Sequence, residues 1–290
     1  MSVQLVLDSK STLGEGPSWD SEKEVLYWVD IVGKKIHRYD PVQHENTTVE
    51  LEQYPGTIQP REDGEVILAL QNGFYFYNWM SETLEPITDP EKHLPGNRFN
   101  DGKCDPAGRF WAGTMNLEEQ QDKGALYRLD TNLEVTEKLN GLSISNGIAW
   151  SPDHAYMYHI DTPTKQVMRY DFNMETGEIT NPKTVVTIPD DQGSPDGMTI
   201  DEEGMLWIAH FGGAGVSRWD PEKGECLEFI DVPAANVTCC VFGGKDMNEL
   251  YITTARKGMS DEDLEKYPEA GGLFKLKTKV RGLPSYPFKG

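Results

Sequence analysis

Residues 194–209 read SPDGMTIDEEGMLWIA. A polar residue and a glycine (Asp196-Gly197) open a short apolar strand, a turn follows at DEEG (201–204), and an apolar core comes next at Leu206-Trp207-Ile208. The same order recurs along the chain. Further cores stand at 26–28 (LYW), 67–69 (ILA), 110–112 (FWA), 157–159 (MYH) and 250–252 (LYI), and turns such as EDG (62–64), DPAG (105–108) and SPD (151–153) precede them. The central residues fall at 27, 68, 111, 158, 207 and 251, so the unit repeats every 41 to 49 residues. A second strand-like run follows each core, as in KIHRYD (35–40), ALYRLD (125–130) and QVMRYD (166–171), and segments such as TTVELE (47–52), EVTEKL (134–139) and TVVTI (184–188) supply an outer strand.

Three or four short antiparallel strands recurring every ~40–50 residues are the pattern of a β-propeller blade. A helical solenoid needs apolar residues at a 3.6-residue period, which these runs lack. The expected fold is therefore all-β, a single six-bladed β-propeller domain over residues 1–290. The sixth unit has no evident outer strand, because GLPSYPFKG (282–290) carries two prolines. The N-terminal VQLVLD (3–8) is expected to pair there and close the ring, leaving no exposed edge.

Counting back from each core locates the start of the innermost strands. Glu15 and Asn146 stand twelve residues before Tyr27 and Tyr158, while Asn100 and Asp196 stand eleven before Trp111 and Trp207. Thr57 and Cys239 hold the matching places in the other two units. Innermost strands surround a propeller's channel, so these side chains form a ring at one mouth, with glycines that let the backbone turn tightly. Two carboxylates facing one axis repel each other unless a proton or a cation intervenes.

Glu15, Asn146 and Asp196 offer only oxygen, which suits a hard divalent cation: Ca²⁺, Mg²⁺ or Mn²⁺, with Zn²⁺ less favoured. Three protein ligands leave positions open for water and substrate, as a catalytic metal needs. Asp196 is also placed to take a proton from an attacking water. Loops between second and third strands emerge at the same mouth, bringing Glu118, Glu119 and Asp161 towards it, and Arg98 adds a cation. His159 and His210 are expected in packing roles, and Cys239 as a wall residue. No G-x-S-x-G, P-loop or H-E-x-x-H pattern is present.

The bulk numbers fit this reading. Forty-eight acidic residues against 27 basic ones give a formal charge of −21, so no basic surface is available for nucleic acid or an anionic membrane. No apolar run is long enough to span a bilayer, and MSVQLVLDSK lacks the form of a signal peptide. The four cysteines, two of them adjacent, suit neither a disulfide scaffold nor a zinc knuckle, so the chain reads as cytoplasmic.

Taken together, LGEGPSWD (13–20), NRFNDGKCDPAGRFWAGTM (97–115), ISNGIAWSPD (144–153), SPDGMTIDEEGMLWIA (194–209), CCVFGGKDMNELYITTA (239–255) and the GLPSYPF tail resemble the senescence-marker protein (regucalcin), gluconolactonase and luciferin-regenerating enzyme family. The resemblance implies a six-bladed propeller holding one divalent metal, Ca²⁺ first among the candidates, and hydrolysing small-molecule sugar lactones such as gluconolactone. It places the metal ligands on Glu15, Asn146 and Asp196, with the aspartate also the base. It places substrate contacts on Arg98 and Asn100, and a lid-loop glutamate on Glu118, with Glu119 as the alternative. The rival readings are a non-catalytic calcium-binding or regulatory propeller, a propeller that docks other proteins, and organophosphate hydrolysis at the same metal.

Overall fold

The computed structural model describes residues 2–290, and its 24 strands make the protein all-β. The first four sheets are meanders of four antiparallel strands each. One runs Gly14–Asp20, Val25–Asp30, Lys35–Asp40 and Glu45–Glu50, and the others begin at Pro55–Pro60, Asn97–Cys104 and Ser145–Trp150. The remaining eight strands join in one sheet through a single pairing, Phe211 with Asn236. Within it Ser194–Ile200 leads one run of four strands, and Asn236–Gly243 leads the next. Gln4–Leu7 pairs antiparallel with Leu273–Lys277, the third strand of that last run.

The six apolar cores read from the sequence all fall in the second strand of a run. Leu26, Tyr27, Trp111, Trp207 and Tyr251 are buried there, packing between neighbouring runs. Trp19, for instance, stacks on Tyr251 from the far end of the chain, with ring centroids 5.7 Å apart. Burial of large aromatic faces between sheets supplies the bulk of the driving force, each side chain stabilising by ~1.5–3 kcal/mol relative to exposure.

The leading strands touch in a cycle. Each packs against the next in chain order, from Gly14–Asp20 through to Asn236–Gly243, which packs back against Gly14–Asp20. Glycine makes this approach possible: a Cβ on Gly197 would lie 2.2 Å from Cys239 Sγ and 2.8 Å from its Cα, in the adjacent leading strand. The expectation of a tight turn holds at Gly16, whose φ is +52°, whereas Gly197 serves the close packing of two strands.

The C-terminal tail is not an outer strand. Residues 282–290 instead cross the end of the leading strands remote from Glu15. Phe288 exchanges backbone hydrogen bonds with Pro60 and Glu62, the Lys289 N–H donates to Gly108, and the Tyr286 hydroxyl meets His154. Prolines at 284 and 287 suit this path, since the tail enters no continuous ladder.

Candidate metal and substrate site

A β-bulge interrupts every leading strand near its start. The register shifts between Glu15 and Ser18, Pro55 and Thr57, Phe99 and Gly102, Asn146 and Ile148, Pro195 and Met198, and Val237 and Cys239. A bulge leaves backbone unpaired and re-aims a side chain, a device common beside binding sites. Here it turns Glu15, Asn100, Asn146 and Asp196 into one cavity of about 340 Å³, which Arg98 also lines. Thr57 and Cys239 are not on its wall: the Thr57 hydroxyl donates to the Gly102 carbonyl at 3.0 Å, and Cys239 is buried against Gly197.

Asn146 carries the clearest signal. Its Nδ2 lies 3.0 Å from Thr162 Oγ1, and that hydroxyl donates to the Pro195 carbonyl at 2.9 Å. With its proton committed to a carbonyl, the threonine must accept from the amide, which fixes the side chain's orientation. Asn146 Oδ1 is then buried with no hydrogen-bond partner among the described residues. An oxygen so placed loses its hydration without compensation, at a cost of ~1–3 kcal/mol, unless a donor or a cation fills the gap.

The two carboxylates have few partners of their own, and Asp196 has the Asn146 side chain among them. Glu15 is 5% exposed, and among the described residues its Oε2 accepts only from the N–H of Gly16, at 3.1 Å. Burial, then the charges of Asp196 and Asp101, push its carboxyl well above the ordinary range. Asp196, also 5% exposed, is pushed up by burial and by Asp101, with Asn146, Lys257 and Arg98 pulling the other way. Asp101 itself is buried, accepts from the Gly102 N–H at 2.8 Å, and is raised by burial. The NDG stretch at 100–102 was the available sign of this third acid.

Arg98 is buried and holds still. One guanidinium nitrogen donates to the Phe99 carbonyl at 2.9 Å and to Asn100 Oδ1 at 2.8 Å, while Asn100 Nδ2 donates to the Ser145 carbonyl at 3.0 Å. Burial lowers its pKa to about 10 against the opposing pull of Glu15, Glu119 and Asp196, so it stays charged at neutral pH. Asn100 thus spends its polar atoms on Arg98 and the neighbouring strand.

The lid-loop assignment requires correction. Glu119 lines the cavity and Glu118 does not. The turn decides it: the Glu118 N–H is held by the Asn116 side chain and the Glu119 N–H by the Asn116 carbonyl, with Glu119 at φ +56°. Glu118 is left exposed, bonded to Gln120. Asp161 likewise stays off the cavity wall, accepting from the N–H groups of Ser143 and Ile144. His159 and His210 are buried packing residues on Ser145 and Ser217, both with lowered pKa values from burial, His159 to about 4. Sequence reasoning missed Lys257, which lines the cavity and forms an ion pair with Glu119 at 2.7 Å. It lies just past a second strand, Glu249–Ala255, where the loop rule already pointed to the mouth.

No three His, Cys, Asp or Glu side chains among the described residues gather in a metal-holding arrangement; the set here is two carboxylates and an amide. Those three still fit a hard cation. Their free oxygens converge on one cavity, one of them is an orphan, and a bound charge of +2 relieves the repulsion that raises both acids.

Comparison with known proteins bears on what such a site does. The SMP-30/Gluconolactonase/LRE-like region family matches residues 13–256, and this chain belongs to that family. The family includes gluconolactonases, so hydrolysis of sugar lactones is an activity at family level. The chain is 40% identical over 290 residues to the Bacillus subtilis protein named "Putative sugar lactone lactonase YvrE", covering all of this chain and 99% of that one. It is 39% identical over 291 residues to regucalcin of Danio rerio, covering 99% and 98%. The crystal structure of a calcium-binding protein, regucalcin from Agrobacterium tumefaciens, superposes with a TM-score of 0.95 at 28% identity, covering 99% and 97%. No helix among the described residues is long and apolar enough to cross a membrane.

Proposed function

We propose that this protein is a divalent-metal-dependent lactonase acting on sugar lactones such as gluconolactone. In this reading residues 1–290 form one domain, a six-bladed propeller closed by the strand Gln4–Leu7. The cyclic packing of the six leading strands supports it, as does the pairing of that strand with Leu273–Lys277. The observation that carries the functional reading is the orphaned Asn146 Oδ1 beside two underbonded carboxylates, in a cavity large enough for a small ring.

Glu15, Asn146 and Asp196 would hold the cation, for which Ca²⁺ is favoured by the all-oxygen donor set and by the calcium-binding relative. When bound, such an ion supplies Lewis-acid polarisation of the ester carbonyl and acidifies water. The chain's own residues do the rest. Arg98, immobilised by Asn100, presents fixed donors to substrate oxygens, and Glu119 presents an acceptor from the lid loop. Asp196 takes the proton of the attacking water and returns it to the ring oxygen as the C–O bond breaks. Four unpaired cysteines fit a reducing, cytoplasmic setting.

The test is hydrolysis of glucono-δ-lactone by protein stripped with chelator and then resupplied with Ca²⁺, Mg²⁺, Mn²⁺ or Zn²⁺. Activity should vanish on stripping and return with metal. Metal binding without any lactone turnover would instead support a non-catalytic calcium-binding propeller.

A further inference from the structure

Lys257 and Glu119 come from loops 138 residues apart in sequence, and both line the cavity. The backbone of Lys257 is pinned: its N–H donates to the Thr12 carbonyl at 2.8 Å, and its carbonyl accepts from Asn236 Nδ2 at 3.0 Å. The Glu119 backbone is held as well, its N–H donating to the Asn116 carbonyl at 3.0 Å. Its side chain is half exposed, and among the described residues its carboxylate accepts one hydrogen bond, from Lys257 Nζ at 2.7 Å. The Lys257 ammonium, its side chain 42% exposed, is therefore the group that orients the Glu119 carboxylate at the cavity wall.

The charges around this pair decide what it can receive. Arg98 lines the same cavity, and Glu119 acts on its guanidinium through charge, so the wall carries two cations and an acceptor. Neighbouring hydroxyls match that set, because each can accept from a cation and donate to the carboxylate. A carboxylate on the substrate would meet Glu119 as a like charge, and an unsubstituted ring would offer Glu119 no hydroxyl to accept from.

We propose that Lys257 is a positioning residue for specificity, pairing with Glu119 so that this carboxylate selects neutral, polyhydroxylated lactones. The proposal rests on the lactonase reading for its kinetic test, so a second measurement is independent of turnover. The kinetic test compares the native protein with Lys257→Met and Lys257→Arg on glucono-δ-lactone, δ-valerolactone and a glucarolactone, all with saturating Ca²⁺. Lys257→Met should lower the kcat/KM preference for gluconolactone over valerolactone about tenfold, the scale of one lost hydrogen bond to a charged group. The loss should appear in KM rather than kcat, and Lys257→Arg should restore most of it. An unchanged preference, or a fall in kcat alike on all three lactones, would overturn the proposal. So would a native preference for the glucarolactone that Lys257→Met removes, since Lys257 would then be reading an anion. The independent measurement is calorimetric titration with glucitol, a neutral polyol that cannot be hydrolysed. Binding about tenfold weaker in Lys257→Met supports the role even if no lactone is turned over, and equal binding in both proteins contradicts it.

Discussion

Asp196 and Asp201 stand at opposite ends of one strand, and both are buried carboxylates. Asp201 accepts from the N–H groups of Glu203 and Met205, both at 3.0 Å, from Trp207 Nε1 at 2.9 Å and from Arg218 Nε at 2.8 Å. Asp105 repeats the arrangement two runs earlier, accepting from Ala107, Arg109 and Trp111. Each closes the turn between a leading strand and the next, ties in the core tryptophan and pairs with an arginine. Asp196 and Glu15 have no comparable set. Burial and the company of other acids raise both, and Arg98, whose charge pulls the other way on each, gives its hydrogen bonds to Phe99 and Asn100. Acids at one end of the strands are satisfied from within the chain. Those at the other end need something the chain does not supply, which is how a binding site differs from a structural network.

Substitution at the two ends should therefore give opposite kinds of damage. The largest effect is expected from Asp196→Asn, which keeps size and one oxygen but loses charge and basicity. Its kcat on gluconolactone should fall by on the order of 10²–10⁴, even at metal concentrations that saturate it, with no loss of thermal stability. Full recovery of rate at high metal would reduce Asp196 to a ligand and remove its role as base. Asn146→Ala serves as the contrast, because a neutral donor's loss should raise the metal requirement and leave the rate recoverable.

Asp201→Ala should behave the other way. It strands Trp207 Nε1 and two turn N–H groups and leaves Arg218 with Glu203 alone, so unfolding in denaturant should show a loss of about 3 kcal/mol. Lactone hydrolysis by the fraction still folded should stay near the native rate. If Asp201→Ala keeps native stability while losing metal binding, the division between the two ends collapses.

Much of this contrast is legible in the sequence, and the limits have physical reasons. The period of the apolar cores places Glu15, Asn100, Asn146 and Asp196 in one register, because a leading strand and its turn have nearly constant length in these units. The bulges that aim those side chains leave no separate mark in composition. Glu118 and Glu119 could not be told apart, since the choice depends on a left-handed residue inside a loop of otherwise similar acids. Lys257 reads as an ordinary surface lysine until the loop carrying it is folded back over the cavity. The tail illustrates the same limit: its prolines ruled out a strand, but only the fold shows what the segment covers.

The central claim is that Glu15, Asn146 and Asp196 are held underbonded for a cation, and calorimetric titration with Ca²⁺ tests it most directly. Both acids have folded-state pKa values raised above the unfolded ones. The stability they contribute is therefore present below the unfolded range, near pH 4, and is lost as pH rises through the raised values. Binding a cation selects the ionised forms, so protons must leave as it binds and affinity must rise with pH through the raised range. The account predicts one Ca²⁺ per chain, binding accompanied by proton release when measured in buffers of different ionisation enthalpy, and affinity weakened in both Glu15→Gln and Asp196→Asn. Binding of equal strength in the native protein and both variants, with no proton released, would contradict it.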